Sequence, residues 1–391
     1  MSVHEDLRCW RLLVACARHA AGLAGPREVG VAAALIDDWA NAERRACAHG
    51  LLPWLARALT QSGPLDAARA PLIAAAGTGA ARTLGQVQRL VGLCSALERA
   101  GIPALPYKGP ALSLQLYGDV ALRQSVDLDV IVPRDRYADA RAALLALGLP
   151  PRGGHSERQE RTLFAWLGHA PFGRGTDFVE LHWHFADRRF PFALDVERAL
   201  ARAGTIRLGA TTLPVLADDD LLAVLAMHGA RHLYQRLEWL AGVTRVLLAH
   251  RGEASRLAAH AESLRARRAL MVSVHVARRI LGYPFDDDWR RVLANDRGSE
   301  AVGAAMAAEL EAHALRDAPP LDGVALQRRY AELVDTRADR ARLYVHAALD
   351  PTARDHETFA LPDALVPLHH VLRPARLAAT YVARAVSPRR A

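Results

Sequence analysis

The sequence predicts an α+β protein, a strand-bearing core at residues 99–216 set between a helical region at 1–98 and a second at 217–391. Three observations lead there. In the first region apolar residues recur at three and four, as in Leu7, Trp10, Leu13, Val14 and in Leu84, Val87, Leu90, Val91, the period of an amphipathic helix. From Ala100 the pattern shortens into runs that alternate apolar with polar residues, the period of a strand with one buried face. From Asp218 the helical period returns.

At 391 residues the chain is too long for one ordinary core, so two or three packed units are expected. Hydrophobic residues at 51% and charged ones at 24% are a globular balance and exclude a disordered chain. A net charge of +8 and a pI near 9.8 favour an anionic partner without naming it. Cys9, Cys16, Cys47 and Cys94 show no zinc-site spacing, so reduced thiols in a cytosolic protein are expected. Arg8, Arg11 and Arg18 break up the short apolar run LLVAC, which argues against a signal peptide. No run reaches the roughly 20 apolar residues of a membrane-spanning helix. A bacterial cytoplasmic location is the expectation.

Helices over 1–98 are punctuated near Gly25-Pro26, Pro53 and Gly63-Pro64, and this region carries no cluster that suggests chemistry. Next come a short strand at Ile102–Tyr107, a helix at Pro110–Tyr117 with Pro in its first turn, and a strand at Val126–Val132. A helix over Asp135–Leu147 ends at Gly148, and the polar, glycine-bearing PPRGGHSERQER after it reads as a mobile loop. Thr162–Leu167 and Asp177–Phe185 read as paired strands around GHAPFGRGT. A helix at Leu194–Ala203 and the hairpin-like TIRLGATTLPVL close the core.

The central strand, VDLDVIV, is the informative one. Its alternation puts Asp127 and Asp129 on one side, where two like charges repel unless a cation or basic partner lies between them. For oxygen ligands a hard divalent ion such as Mg2+ is the usual cation. Upstream stands Lys108, the one lysine in the chain, directly before Gly109 and a helix start. That placement suits phosphate, through free N–H groups, the helix dipole and a compact ammonium. In DFVELHWHF, Glu180, His182 and His184 share a face with Phe178, and such a row does not belong in a dry core. Asp177 falls on the opposite face.

In the second helical region, Asp218-Asp219-Asp220 reads as a helix start, where negative charge suits the dipole, in preference to a metal cluster. His228, His232 and Arg236 then fall at four-residue steps on one face near Trp239. Beyond residue 250 the helices are studded with arginine, as solvated or interface faces are. From Val366 the chain holds Arg373, Arg376, Arg384, Arg389 and Arg390 and no acid. That closing segment reads either as an amphipathic helix for lipid or RNA or as a docked terminal helix.

Lys108-Gly109, Arg123 and Asp127-Leu128-Asp129, taken with Glu-Leu-His-Trp at 180–183, resemble the active-site core of the DNA polymerase beta-like nucleotidyltransferases. The match is to a bacterial branch in which Lys-Gly replaces the more usual Gly-Ser. HGLLPWLARAL, HGARHLYQRLEWL and the closing segment resemble the same branch. The resemblance implies a small mixed sheet, and transfer of a nucleoside monophosphate from an NTP, ATP first among them, to an acceptor with release of pyrophosphate. It also implies that Asp127, Asp129 and Glu180 bind Mg2+ (or Mn2+) and carry catalysis. Lys108, Gly109, Arg123, His182, His228, His232 and Arg236 would then serve the nucleotide. One departure stands out: where the branch leads us to expect an acid after Trp239-Leu240, this chain has Ala241 and Gly242. A catalytically weak nucleotide-binding regulator and an arginine-rich nucleic-acid or partner-binding protein are the alternative readings. The acceptor, whether small molecule, peptide, protein or RNA, is not specified by sequence.

Overall fold

The structure is a computed structural model that describes residues 3–62, 67–153, 160, 164–175, 177–316 and 321–386. The first helical region contains α1 (Val3–Ala21), α2 (Pro26–Ala33), α3 (Trp39–Ala48), α4 (Leu52–Gln61) and the long α5 (Ala70–Arg99). In the core, β1 (Leu105–Pro106), α6 (Gly109–Tyr117), β2 (Leu128–Ile131) and α7 (Tyr137–Ala146) precede β3 (His169–Arg174) and β4 (Asp177–His182). α8 (Val196–Arg202) leads to the hairpin of β5 (Gly204–Leu208) and β6 (Thr211–Val215). Helices then follow, among them α9 (Asp218–Arg231), α10 (Leu237–Ala249), α11 (Ala254–Ser263) and α12 (Arg267–Leu281), and the described chain ends in a helix over His369–Val386.

The sheet has the order β1-β2-β4-β3. β2 and β4 run parallel, with β1 and β3 antiparallel at the edges, so the core is α+β with the small mixed sheet that was expected. One face is apolar and fully buried: Leu128 and Val130 from β2, Val179 and Leu181 from β4, and Phe172 from β3 pack with Leu90, Leu93 and Leu97 of α5 and Leu144 of α7. Each such side chain is worth about 1.5–3 kcal/mol of burial. Because strand side chains alternate, anchoring this set fixes Asp129, Glu180 and His182 on the other face. There Tyr107 and Ile131 join a second core built from both helical regions, in which α1 packs on α10 and α9 on α12. The polar sheet face therefore meets the helices, and the site lies at that junction.

One expected strand is displaced. Residues 164–167, expected as strand, are helical, and the partner of β4 is the HAPFGR segment itself. Pro171, Gly173 and the preceding Gly168 disguise it, yet β3 is an edge strand, where Pro171 forfeits no ladder bond that a neighbour needs. The loop expectation for PPRGGHSERQER lies largely outside the described residues, at 154–159 and 161. So do Arg389 and Arg390. Among the described residues no helix is long and apolar enough to cross a membrane.

Candidate active site

Register brings the acids together. In the parallel pair Asp129 stands opposite Glu180 and Ile131 opposite His182, and in the antiparallel pair His169 stands opposite His182 and Pro171 opposite Glu180. Asp129, Glu180, His182 and His169 thus share one sheet face. The Asp129 side chain is 3% exposed, and its Oδ1 accepts from Lys108 Nζ at 2.8 Å and lies 3.0 Å from His182 Nε2. That nitrogen is also 3.2 Å from Glu180 Oε2. On the far side of the ring, His182 Nδ1 lies 3.1 Å from the Tyr107 hydroxyl. An N–H at Nε2 shared by two carboxylates, with Nδ1 accepting from Tyr107, is the tautomer this geometry fits. His169 stacks on His182 with ring centroids 4.7 Å apart, and its Nε2 lies 3.8 Å from Glu180 Oε1.

The two aspartates are shifted in opposite directions. Burial would raise Asp129, but Lys108 and His182 outweigh it and hold this carboxyl well below its ordinary value. Asp127 is pushed up to about 6, by burial first and then by the charges of Asp129 and Glu180. Its Oδ1 has one close donor, Ser125 Oγ at 3.1 Å. An acid lifted by its neighbours' charges is an oxygen site short of positive charge. By that donor chemistry, three carboxylates with one uncompensated, the residues present fit a hard divalent cation. His169, Glu180 and His182 bring their ligand atoms within 4.8 Å of one another. His182 Nε2 is already committed to two carboxylates, so it orients these oxygens and does not present a free lone pair.

Lys108 is the N-cap of α6, whose first turn has no side-chain cap and carries Pro110. The N–H groups of Gly109 and Ala111 are left open beside the acids. Gly109 has a backbone φ of +58°, and a Cβ there would sit 3.5 Å from the Asp127 carbonyl oxygen. Glycine at this position lets the helix start lie directly against the acidic strand.

Four other expected residues make their contacts among themselves and with the second helical region. Arg123, 9% exposed, is held by Glu238, with Nε 2.5 Å from Oε1, and Arg236 Nη2 lies 3.2 Å from the same carboxylate. His228 and His232 pack against each other and against Trp239 in tilted and edge-on contacts, with centroids 4.6–5.1 Å apart. Lys108, Arg123, His228, Glu238 and Trp239 line one small cavity of about 20 Å³. Burial, followed by the charge of Lys108, pushes His228 well below its usual value. His184 turns outward and is exposed.

Sequence reasoning missed Tyr107, Ser125, His169 and Glu238. The register of β3 would have revealed His169 had its Pro and Gly not hidden the strand. Glu238 is a buried acid directly before Trp239, whereas at Gly242, one turn later, an added Cβ would meet the Leu116 side chain at an ordinary contact distance of 3.5 Å. A second cluster, Asp219, Asp220 and His260, also gathers its ligand atoms. Arg202 and Arg256 already pair with these acids, so it is a neutralised start of α9.

Residues 37–282 match the model of a family described as uncharacterised nucleotidyltransferase. The chain belongs to this family. Among solved structures, this nucleotidyltransferase is similar to the solution structure of the antibiotic-resistance factor ANT(2″)-Ia. That likeness has 14% identity and a TM-score of 0.35, and covers 49% of this chain and 97% of the other. No curated protein matches the sequence.

Proposed function

We propose that this nucleotidyltransferase moves a nucleoside monophosphate from an NTP, ATP first among the candidates, to an acceptor, with Mg2+ or Mn2+ held by Asp127, Asp129 and Glu180. The observation that carries this reading is the convergence of three carboxylates on one sheet face beside the uncapped start of α6 and Lys108. A bound divalent cation supplies charge neutralisation at the triphosphate and at the oxygens of an in-line displacement. The open N–H groups of Gly109 and Ala111, with Lys108, cradle the triphosphate. His182, fixed from behind by Tyr107, keeps Asp129 and Glu180 aimed at a common point. The acceptor oxygen forms its bond to the α-phosphorus and its proton passes to the Glu180 carboxylate. The α-phosphorus to bridging-oxygen bond breaks, and its electron pair leaves with pyrophosphate.

Arg123 and Arg236 favour a second reading. Both are engaged by Glu238 and neither reaches the acids, so the site has fewer cations for a triphosphate than the sequence suggested. A nucleotide-binding regulator with weak catalysis fits that arrangement.

The test is nucleotide binding, and pyrophosphate release on adding cell extract as the source of acceptor, with each of the four common NTPs, with and without Mg2+ or Mn2+, in wild type and in Asp127→Asn/Asp129→Asn. Metal-dependent binding and release that vanish in the variant support transfer. Metal-dependent affinity without release supports the regulator. Folded wild type that binds no NTP overturns both.

A further inference from the structure

A groove of about 900 Å³ opens between α5 and the sheet, lined in part by Val126 and Phe178. One wall is a single face of α5, where Arg82, Gln86 and Arg89 fall at helical spacing, and Arg152 closes the opposite side. Phe164, Phe178 and Val126 supply apolar surface, and no acidic side chain occurs among the described lining residues.

The groove is continuous with the site. Phe178 precedes Glu180 by two residues on β4, hence on the same sheet face about 7 Å away. Carrying the register of Leu128 with Val179 back one step places Phe178 beside Asp127. Gln86 makes a second link: its Nε2 donates to the Ser125 carbonyl at 3.0 Å, and Ser125 Oγ donates to Asp127. The Gln86 side chain is buried, with the residue 3% exposed, and its Oε1 has no hydrogen-bond donor among the described residues. Arg152 lies 4.8 Å over the Phe178 ring and gives one N–H to the Gly175 carbonyl, leaving the rest of its guanidinium fork to the groove. Arg82 is exposed.

Resting on the transfer reading above, we propose that this groove is the acceptor site and that the acceptor is a small anion. Its phosphate or carboxylate is held by Arg82 and Arg152, its apolar body lies on Phe178, and its hydroxyl reaches Asp127. Guanidinium forks recognise either anion in a bidentate manner, and a groove of this volume suits a small molecule. Among the described residues the lining has arginines and no carboxylate, which disfavours a cationic acceptor.

The experiment titrates phenyl phosphate and benzoate into the full chain by calorimetry, with phenol and benzylamine as neutral and cationic counterparts. ATP with Mg2+ is titrated in parallel. Wild type, Arg152→Ala, Arg82→Ala and Arg152→Lys are compared, each first shown by thermal melting to be folded. The expected result is binding of phenyl phosphate, benzoate or both, weakened about ten-fold or more in Arg152→Ala and Arg82→Ala, partly kept in Arg152→Lys, with ATP affinity unchanged. The phosphate and carboxylate arms then tell which anion the acceptor carries. Equal binding of phenol or benzylamine, no binding of either anion, or anion binding indifferent to the arginines overturns the proposal. ATP binding that falls with the arginines overturns it too, by making the groove a nucleotide pocket. Anion binding that needs the arginines, in a protein that binds no NTP, separates the failures: the transfer reading falls and the acceptor role falls with it.

Discussion

Asp129 and Glu180 stand directly opposite each other on neighbouring parallel strands, and one ring nitrogen of His182 lies within 3.2 Å of both carboxylates. Two acids that would repel are held as a pair by a positioned imidazole, while Lys108 neutralises one of them. Asp127, one residue before the strand, has no ion-pair partner within 4 Å among the described residues and accepts from Ser125 Oγ.

The two aspartates should therefore part company on mutation. Asp127→Asn removes a repelled charge and should leave the melting temperature unchanged or raised, whereas Asp129→Asn loses the Lys108 pair and should lower it. Both should reduce pyrophosphate release by roughly 10²–10³-fold or more. Calorimetric melting beside a turnover assay reads both quantities. A clear fall in stability for Asp127→Asn would show that its charge is compensated.

Glu238 should matter more to stability than to chemistry. It is 3% exposed and holds both Arg123 and Arg236, so Glu238→Ala leaves a buried guanidinium unpaired and should cost about 3–5 kcal/mol. Chemical denaturation measures the loss. Arg123→Ala should cost a comparable amount, and the double variant should cost less than the sum, since each single change strands its partner.

Acid should weaken the fold through its buried histidines. His49, 5% exposed, is lowered to about 4, by burial first and then by His313, Arg236 and Arg45. Below about pH 6.5 the unfolded chain takes up a proton that folded His49 refuses, so stability falls as pH drops from 6.5 towards 4. The slope from this group is up to about 1.4 kcal/mol per pH unit. His228 and His232, also lowered mainly by burial, add in the same direction. Melting temperatures from pH 7.5 to 4.5 should show the decline, and His49→Gln should flatten it.

Gly109→Ala tests the helix start. A φ of +58° costs an L-residue about 1–2 kcal/mol, and relief by tilting α6 would draw its open N–H groups away from Asp127. The expected signature is weaker NTP binding out of proportion to the loss of stability. An unchanged dissociation constant for ATP would remove α6 from the phosphate site.

The sheet and its acids were legible because alternation is a strong code: VDLDVIV and FVELHW each commit one face to the core, and the other face follows. The helical regions were legible for the same reason at a different period. What escaped was long-range. Tyr107 matters because β1 ends beside His182, and Glu238 because a loop carries Arg123 to α10. His169 was lost locally, since Pro171 and Gly173 disguise an edge strand whose missing ladder bond costs nothing. The open groove against α5 was invisible too, because its arginines come from segments seventy residues apart.

A single lysine in 391 residues also makes the protein its own reporter. Apart from the chain's α-amine, an amine-selective acylating reagent has one target, Lys108, whose side chain is 16% exposed and held at Asp129. Protection of that one position by nucleotide or metal would read site occupancy by mass alone, and a lysine-specific protease would cut the unfolded chain once, between the acidic strand and everything before it.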